Sequence, residues 1–159
     1  MDVFVQLLSY PDVTIALPVS DVLVQLLTRA TRETPCKGRF LMLFPRLPLV
    51  GNALRASSQT LQNVMNNERL SEQNSAYRHH RRLCQVVVLL ASIQLDLWNP
   101  KHLPPNYELL LDLLLEVTAH PSLNVTILAL QFWKRAIAHQ TYRTVRVPPP
   151  LVFLCARSY

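Results

Sequence analysis

The sequence predicts an all-α protein, and three observations support that prediction. Half of the 159 residues are hydrophobic, and only 16% are charged. Two glycines against twelve prolines make a poor composition for a turn-rich β-protein, but suit helices that prolines stop. Residues 107–140 then show the pattern of two amphipathic helices joined by a short turn at residues 120–122. Such a pair is the repeating unit of an α-solenoid, a stack of antiparallel helix pairs.

The N-terminal part of the chain predicts a first helix pair. Residues 3–8 (VFVQLL) look like the end of one helix. Asp12 is expected to cap the next helix, because its carboxylate can accept a hydrogen bond from free backbone N–H groups. Apolar residues at helical spacing predict that helix over residues 13–29, with Pro18 in its early part. The proline-containing turn before it resembles the turn at residues 120–122, which is a weak internal repeat.

The next region predicts less regular structure. Residues 31–39 are polar and predict a loop, and residues 66–77 predict a polar surface linker. A single regular helix over residues 40–54 is not expected, because three residues interrupt the apolar run: Pro45, Pro48 and Gly51. A short helix is expected over residues 53–65.

The C-terminal half carries the clearest helical patterns. Residues 76–97 predict one helix that is apolar nearly all round, as in a helix packed between neighbours. The helix pair of residues 106–140 follows, with Ser122 as the expected N-cap of its second helix. Ile137 is expected to face inward, and the predicted core of the pair consists of Leu110, Leu113, Leu114, Pro121, Leu128, Phe132 and Trp133.

The last residues, 141–159, do not continue the helical pattern. Three consecutive prolines at 148–150 predict an irregular, extended tail. The expected organisation is therefore a helical α-solenoid segment over residues 1–140, followed by this tail. A solenoid normally closes with a polar-faced unit, and neither end shows one. We therefore expect a fragment of a larger solenoid.

Charge suggests a partner rather than a reaction. The net charge of +6 and the pI near 9.7 permit an anionic partner such as nucleic acid. Arg78, Arg81 and Arg82 are the candidate electrostatic contacts, because arginine offers forked donors that match phosphate oxygens. The alternative is a solvated helix end. The acidic residues of the helix over 106–119, spaced by four, are interpreted as a solvent-facing side.

No catalytic, cofactor or metal site is predicted, and an enzyme is not expected. His79 and His80 point about 100° apart on a helix and have no third ligand nearby in the sequence. The three cysteines, at positions 36, 84 and 155, form no CxxC or zinc-ligand spacing. Their odd number without a secretory signal favours a reducing compartment. No segment is expected to reach the ~18 apolar residues of a membrane span, so we expect a soluble intracellular protein.

One stretch resembles a known family. Residues 115–123 (LEVTAHPSL), followed by Phe132-Trp133, resemble a HEAT unit of the importin-β/exportin (karyopherin) family. Residues 82–86 (RLCQV) and 37–44 (KGRFLMLF) are similar to earlier pieces of the same kind of protein, in the same order. The likeness is loose over residues 45–74 and stops after Gln140.

The resemblance implies a HEAT-repeat fold and a role in nuclear export. Proteins of this family bind the GTP form of the small GTPase Ran together with cargo, pass the nuclear pore by contacting its proteins, and move between nucleus and cytoplasm. The implied cargo is small structured RNA, such as double-stranded microRNA precursors, or protein. No cofactor is implied. The alternative interpretation is a generic HEAT scaffold for protein assembly with no transport role.

Overall fold

The computed structural model describes residues 2–65, 74–97, 99 and 102–139. All regular elements of these residues are helical, which confirms the all-α prediction there. They are α1 (Asp2–Leu7), α2 (Val13–Arg32), α3 (Thr34–Phe40), a 3-10 stretch (Leu41–Arg46), α4 (Leu47–Met65), α5 (Ser75–Asp96), α6 (Tyr107–Thr118) and α7 (Leu123–Ala138). The predicted tail over 141–159 and residues 66–73 of the predicted linker lie outside the described residues.

The helices form two rows. One row contains α2, α5 and α7, and the other contains α1, α4 and α6. Helices that follow each other in the chain pair across the rows, as α1 with α2, α4 with α5, and α6 with α7. A stack of helix pairs requires this order of contacts. The α-solenoid itself stays a prediction.

Helix α5 lies at the centre of the molecule. It contacts α2, α3, α4, α6 and α7, and buries fourteen of its 22 residues, so it packs between neighbours as its apolar sequence predicts. Asn74 caps it, because its side-chain oxygen accepts hydrogen bonds from the backbone N–H groups of Ala76 and Tyr77 at 2.9 and 3.2 Å. This cap starts the helix at Ser75, inside the predicted linker.

The first long helix begins where the sequence predicts. The Oδ1 atom of Asp12 accepts hydrogen bonds from the backbone N–H and the hydroxyl of Thr14, at 2.8 and 2.7 Å. Helix α2 then continues through Pro18 to Arg32, three residues beyond the predicted end. It also has the length and apolar composition of a membrane span, contrary to the sequence expectation. Buried core helices of soluble proteins pass the same test, and α2 buries one face against α5.

The loop prediction for residues 31–39 is wrong. Helix α3 occupies most of the predicted loop over 31–39, with a proline in its first turn, where the missing N–H would have no helical partner. Its Lys37 donates to the Oδ2 atom of Asp96 at 2.8 Å, and Arg135 of α7 pairs with the same carboxylate. Residues 40–54 do not form one regular helix, as predicted, because the 3-10 stretch precedes α4. Helix α4 nevertheless starts at Leu47, six residues before the helix predicted over 53–65, because Pro48 lies in its first turn, where a proline is tolerated.

Gly51 does not interrupt α4. Its backbone φ is not positive, and a Cβ atom placed there would lie 3.4 Å from the Cδ2 atom of Leu113 on α6. The glycine therefore lies where α4 and α6 approach each other.

Replacing Gly51 with alanine is expected to stabilise the chain by up to about 1 kcal/mol, because alanine favours a helix over glycine and the new methyl group makes an ordinary contact. The urea midpoint measures the change. Gly51→Ile has to displace Leu113, and should lower the midpoint. A Gly51→Ala chain that is less stable than the parent would contradict this account of the α4–α6 contact.

The α6–α7 pair corrects three sequence expectations. Pro121 is exposed in the turn rather than buried, and Ile137 is 59% exposed because it lies on the outward side of α7. Ser122 occupies the N-cap position but makes no side-chain cap bond. Its hydroxyl lies 2.8 Å from the Tyr77 hydroxyl. Leu128 is partly buried, and the other predicted core residues are buried: Leu110, Leu113, Leu114, Phe132 and Trp133.

Candidate functional site

A cleft of about 340 Å³ opens between α4, α5 and the α6–α7 region. Its walls are polar and its base is largely apolar. The walls carry Arg55, Ser58, Gln59, Gln62, Glu116 and His120, and the base carries Leu54, His80, Cys84 and Val117. The cleft is therefore a candidate site for a small polar ligand.

An ion pair joins two walls of the cleft. The guanidinium of Arg55 on α4 donates to the Oε1 atom of Glu116 on α6, with nitrogen–oxygen distances of 2.7 and 3.2 Å. This hydrogen bond raises the pKa of Arg55 above its ordinary value. Both side chains are about half exposed, so the pair is worth on the order of 0–1 kcal/mol. It spans the cleft between α4 and α6.

His80 lies at the base of the cleft and is neutral at physiological pH. Its Nδ1 atom is 2.8 Å from the Ser57 hydroxyl, and its Nε2 atom is 3.5 Å from the Cys84 sulfur. Burial lowers the pKa of His80 to about 4, and the nearby His120, whose ring centroid is 5.0 Å away, contributes in the same direction. The neutral ring can donate one hydrogen bond and accept another, but it carries no charge.

Cys84 is a core residue and not a nucleophile. It is 1% exposed, and burial raises the pKa of its thiol to about 12. Because the thiolate is the reactive form, this cysteine is inert at neutral pH.

His120 offers a hydrogen-bond donor at the cleft. The backbone N–H of Ser122 donates to its Nδ1 atom at 3.0 Å, so the ring proton sits on Nε2. Burial lowers the pKa of His120. The cleft therefore combines neutral imidazoles with the amide groups of Gln59 and Gln62 and the hydroxyl of Ser58, which suits the binding of a polar group. No set of three potential metal ligands occurs in the described part of the chain.

The structure separates the two adjacent histidines. His79 is buried on the other side of α5, where its Nδ1 atom lies 3.4 Å from the Ser20 hydroxyl of α2. His80 faces Ser57 of α4. The expected angle between neighbouring helical residues explains this separation.

The predicted basic contacts do not lie in the cleft. Arg78 is exposed on the first turn of α5, whereas Arg81 and Arg82 are partly buried. The Nε atom of Arg82 donates to the Oδ1 atom of Asp21 on α2 at 2.5 Å, and its NH1 atom donates to Gln85 at 3.0 Å. Arg82 therefore stabilises the α2–α5 contact. A role of the three arginines in binding an anionic partner stays a prediction.

Sequence reasoning missed the cleft. Spacing by four already places His80 and Cys84 on one side of a helix. On α4, Ser57 lies 23 residues from its partner His80, and Arg55 lies 61 residues from its partner Glu116. No local pattern indicates contacts at such separations.

The comparisons with known proteins give one informative match. Neither a family model nor a solved structure matches this chain. A curated relative, Exportin-5 of Dictyostelium discoideum, is 31% identical over 75 residues, which is 46% of this chain and 7% of the relative. The chain thus spans a small part of the length of that relative. The match supports a karyopherin-like relationship.

Proposed function

We propose that this chain is a segment of a nuclear export receptor of the karyopherin type, with similarity to exportin-five. The observation that carries the proposal is the 31% identity with Exportin-5 over 75 residues. The two rows of paired helices support it, because karyopherins resemble stacks of HEAT units. The whole receptor would bind Ran-GTP, cargo and nuclear pore proteins, act in both nucleus and cytoplasm, and catalyse no reaction of its own.

The charge of the chain suits small double-stranded RNA, such as a microRNA precursor, as the cargo. A net charge of +6 favours phosphate-rich partners, and duplex RNA is recognised mainly through its shape and phosphates. Arg78, Arg81 and Arg82, near the start of α5, are the proposed contacts. Arg82 contributes less than the exposed Arg78, because Asp21 already neutralises it.

The alternative is a HEAT scaffold for protein assembly without a transport role. Within the transport role, protein is the alternative to RNA as the cargo. The Arg82–Asp21 pair favours this alternative, because part of the basic run holds helices together instead of facing a partner.

A segment exchange tests the transport role. The matched 75 residues of Exportin-5 from Dictyostelium discoideum are replaced by their counterparts from this chain. Retention on immobilised Ran, locked in the GTP form, is then measured with and without a short RNA hairpin. We expect the chimera to be retained as well as the unaltered relative, and more strongly with the hairpin. If the chimera has an unchanged circular dichroism spectrum and is not retained in either condition, the transport role is contradicted and the scaffold interpretation remains.

The RNA contacts are tested on the full 159-residue chain. Arg78→Gln combined with Arg81→Gln is expected to weaken binding of an RNA hairpin about tenfold and to flatten its salt dependence, because two phosphate contacts are lost. Arg29→Gln combined with Arg32→Gln, which removes the same charge at the end of α2, is the matched control. Equal weakening by both pairs would show that only net charge matters.

A further inference from the structure

The residues that line the cleft carry no net charge. The Glu116 carboxylate neutralises the Arg55 guanidinium. Burial keeps His80 neutral at physiological pH by lowering its pKa to about 4, and it lowers the pKa of His120 as well. A phosphate in the cleft would lie close to the negative charge of Glu116, and an ammonium group would lie close to the positive charge of Arg55. The cleft therefore suits an uncharged polar ligand.

The ion pair in the cleft leaves both a donor and an acceptor for such a ligand. The two bonds from Arg55 end on the Oε1 atom of Glu116, so the second carboxylate oxygen, Oε2, can accept from a ligand. A guanidinium has five N–H groups, and this pair uses only two of them. His120, four residues after Glu116, adds a second donor on Nε2, because its Nδ1 atom accepts from the Ser122 backbone. The wall of the cleft thus combines one acceptor with two donor groups.

Adenine carries the complementary groups on one side of its ring. Its N6 amino group is a donor, and the ring nitrogens on either side of it, N1 and N7, are acceptors. The amino group can donate to Oε2 of Glu116, while the two ring nitrogens accept from Arg55 and His120. Guanine and hypoxanthine have a carbonyl oxygen in place of the amino group, so the Glu116 carboxylate would face a second acceptor. A site that pairs with an N–H group rejects a ligand that lacks it.

The rest of the cleft suits a flat ring. Its volume of about 340 Å³ lies within the range of small-molecule pockets, and Leu54 and Val117 provide apolar contacts for the faces of a ring. Ser58, Gln59 and Gln62 lie on one side of α4, because residues three and four apart are neighbours on a helix. Glutamine amides form paired hydrogen bonds with N6 and N7 of adenine, so these side chains add further bonds to the same base.

We propose that the cleft between α4, α5 and α6 is a binding site for an adenine ring, and that Glu116 selects the ring by its amino group. Free adenosine and an unpaired adenosine in an RNA loop present the same groups to the cleft. In a duplex the opposite strand already occupies N1 and N6, so a paired adenine does not fit. The proposal depends on the cleft alone, and holds or fails independently of the transport role.

Isothermal titration calorimetry of the full chain with adenosine and with inosine tests the selection. These two nucleosides differ at the group that faces Glu116, which is an amino group in adenosine and a carbonyl in inosine. Adenosine is expected to bind at least about tenfold more tightly, because a matched pair of base contacts discriminates by this much. Both nucleosides are uncharged, so added salt should change neither dissociation constant.

Glu116→Gln tests the role of the carboxylate. The glutamine amide can accept from the amino group of adenosine and can also donate to the carbonyl of inosine, so the preference for adenosine should fall to about twofold or less. Glu108→Gln is the matched control, because it removes the same charge from an exposed position on the same helix, outside the cleft, and should keep the full preference.

Two RNA hairpins with the same stem distinguish free adenosine from adenosine in RNA. One hairpin has adenosines in its loop, and the other has inosines. If the adenosine loop is preferred while free adenosine does not bind, the ligand is an unpaired base of RNA. If free adenosine binds and the two hairpins bind equally, the ligand is the free nucleoside. Thermal unfolding followed by circular dichroism shows whether each variant keeps its fold.

Two results would overturn the proposal. The first is that neither the nucleosides nor the hairpins show a preference for adenine over hypoxanthine, whether they bind equally or do not bind. The second is a preference for adenine that Glu116→Gln leaves intact, because the base would then bind outside the cleft.

Discussion

Trp133→Ala is expected to destabilise the chain by about 3–5 kcal/mol, the usual cost of truncating a buried aromatic side chain. The indole of Trp133 is 8% exposed, and packs edge-on against Phe132 with ring centroids 5.1 Å apart. Its Nε1 atom donates to the Thr118 hydroxyl at 2.9 Å, which ties α7 to the end of α6. Truncation would leave a cavity and remove this bond. Urea unfolding followed by far-ultraviolet circular dichroism measures the loss.

The exposed side of the same helix provides the control. Ile137→Ala removes an apolar side chain that is 59% exposed, and should cost under about 1 kcal/mol. If Trp133→Ala prevents folding, Trp133→Phe keeps most of the packing and should lose about 1 kcal/mol through the missing hydrogen bond. Equal losses for Trp133→Ala and Ile137→Ala would contradict the two-row packing described here.

Acidification below pH 6.5 is expected to destabilise the fold through its buried histidines. Burial lowers the pKa of His79, His80 and His120 below the ordinary value of 6.5. The unfolded chain therefore binds protons at a higher pH than the folded chain does. The neutral histidines make their full contribution to stability above pH 6.5. The free energy of unfolding then falls as the pH drops towards the pKa values of the folded chain. For His80, a pKa of about 4 corresponds to a total loss of about 3 kcal/mol at 1.36 kcal/mol per pH unit, of which about 2 kcal/mol is reached at pH 5.

Urea midpoints between pH 7.5 and pH 5 measure this dependence. His80→Gln should flatten it, because the amide can bond the Ser57 hydroxyl without titrating. His102→Gln, at an exposed position, is the control and should leave the slope unchanged. A parent chain whose stability does not vary between pH 7.5 and pH 5 would show that the three histidines are not buried in their neutral form.

The long periodic helices could be predicted from the sequence. The apolar spacing of α2, α5, α6 and α7 indicates helices whatever they pack against. Asp12 acts on Thr14, two residues away, so its cap is a local feature as well. Prolines misled the prediction for α3 and α4. A proline breaks the interior of a helix but suits its first turn, and the pattern alone does not show which of the two positions it occupies.

The candidate site depended on contacts between distant parts of the chain. Ser57 and His80 are 23 residues apart, and Asp21 and Arg82 are 61 residues apart. The sequence showed a basic run at the start of α5, but only the packing of α2 against α5 assigned Arg82 to an internal ion pair. Likewise, Ile137 faces outward because the opposite side of α7 packs against α5 and α6.

The sequence by itself determined the long periodic helices of this protein, because a helical hydrogen bond joins residues four apart and the apolar side of such a helix repeats every three to four residues. Short segments of the sequence also showed the resemblance to karyopherins. Only the tertiary structure decided which histidines lose their charge and which arginine is neutralised. Those properties depend on burial, and burial depends on which helices become neighbours across the two rows.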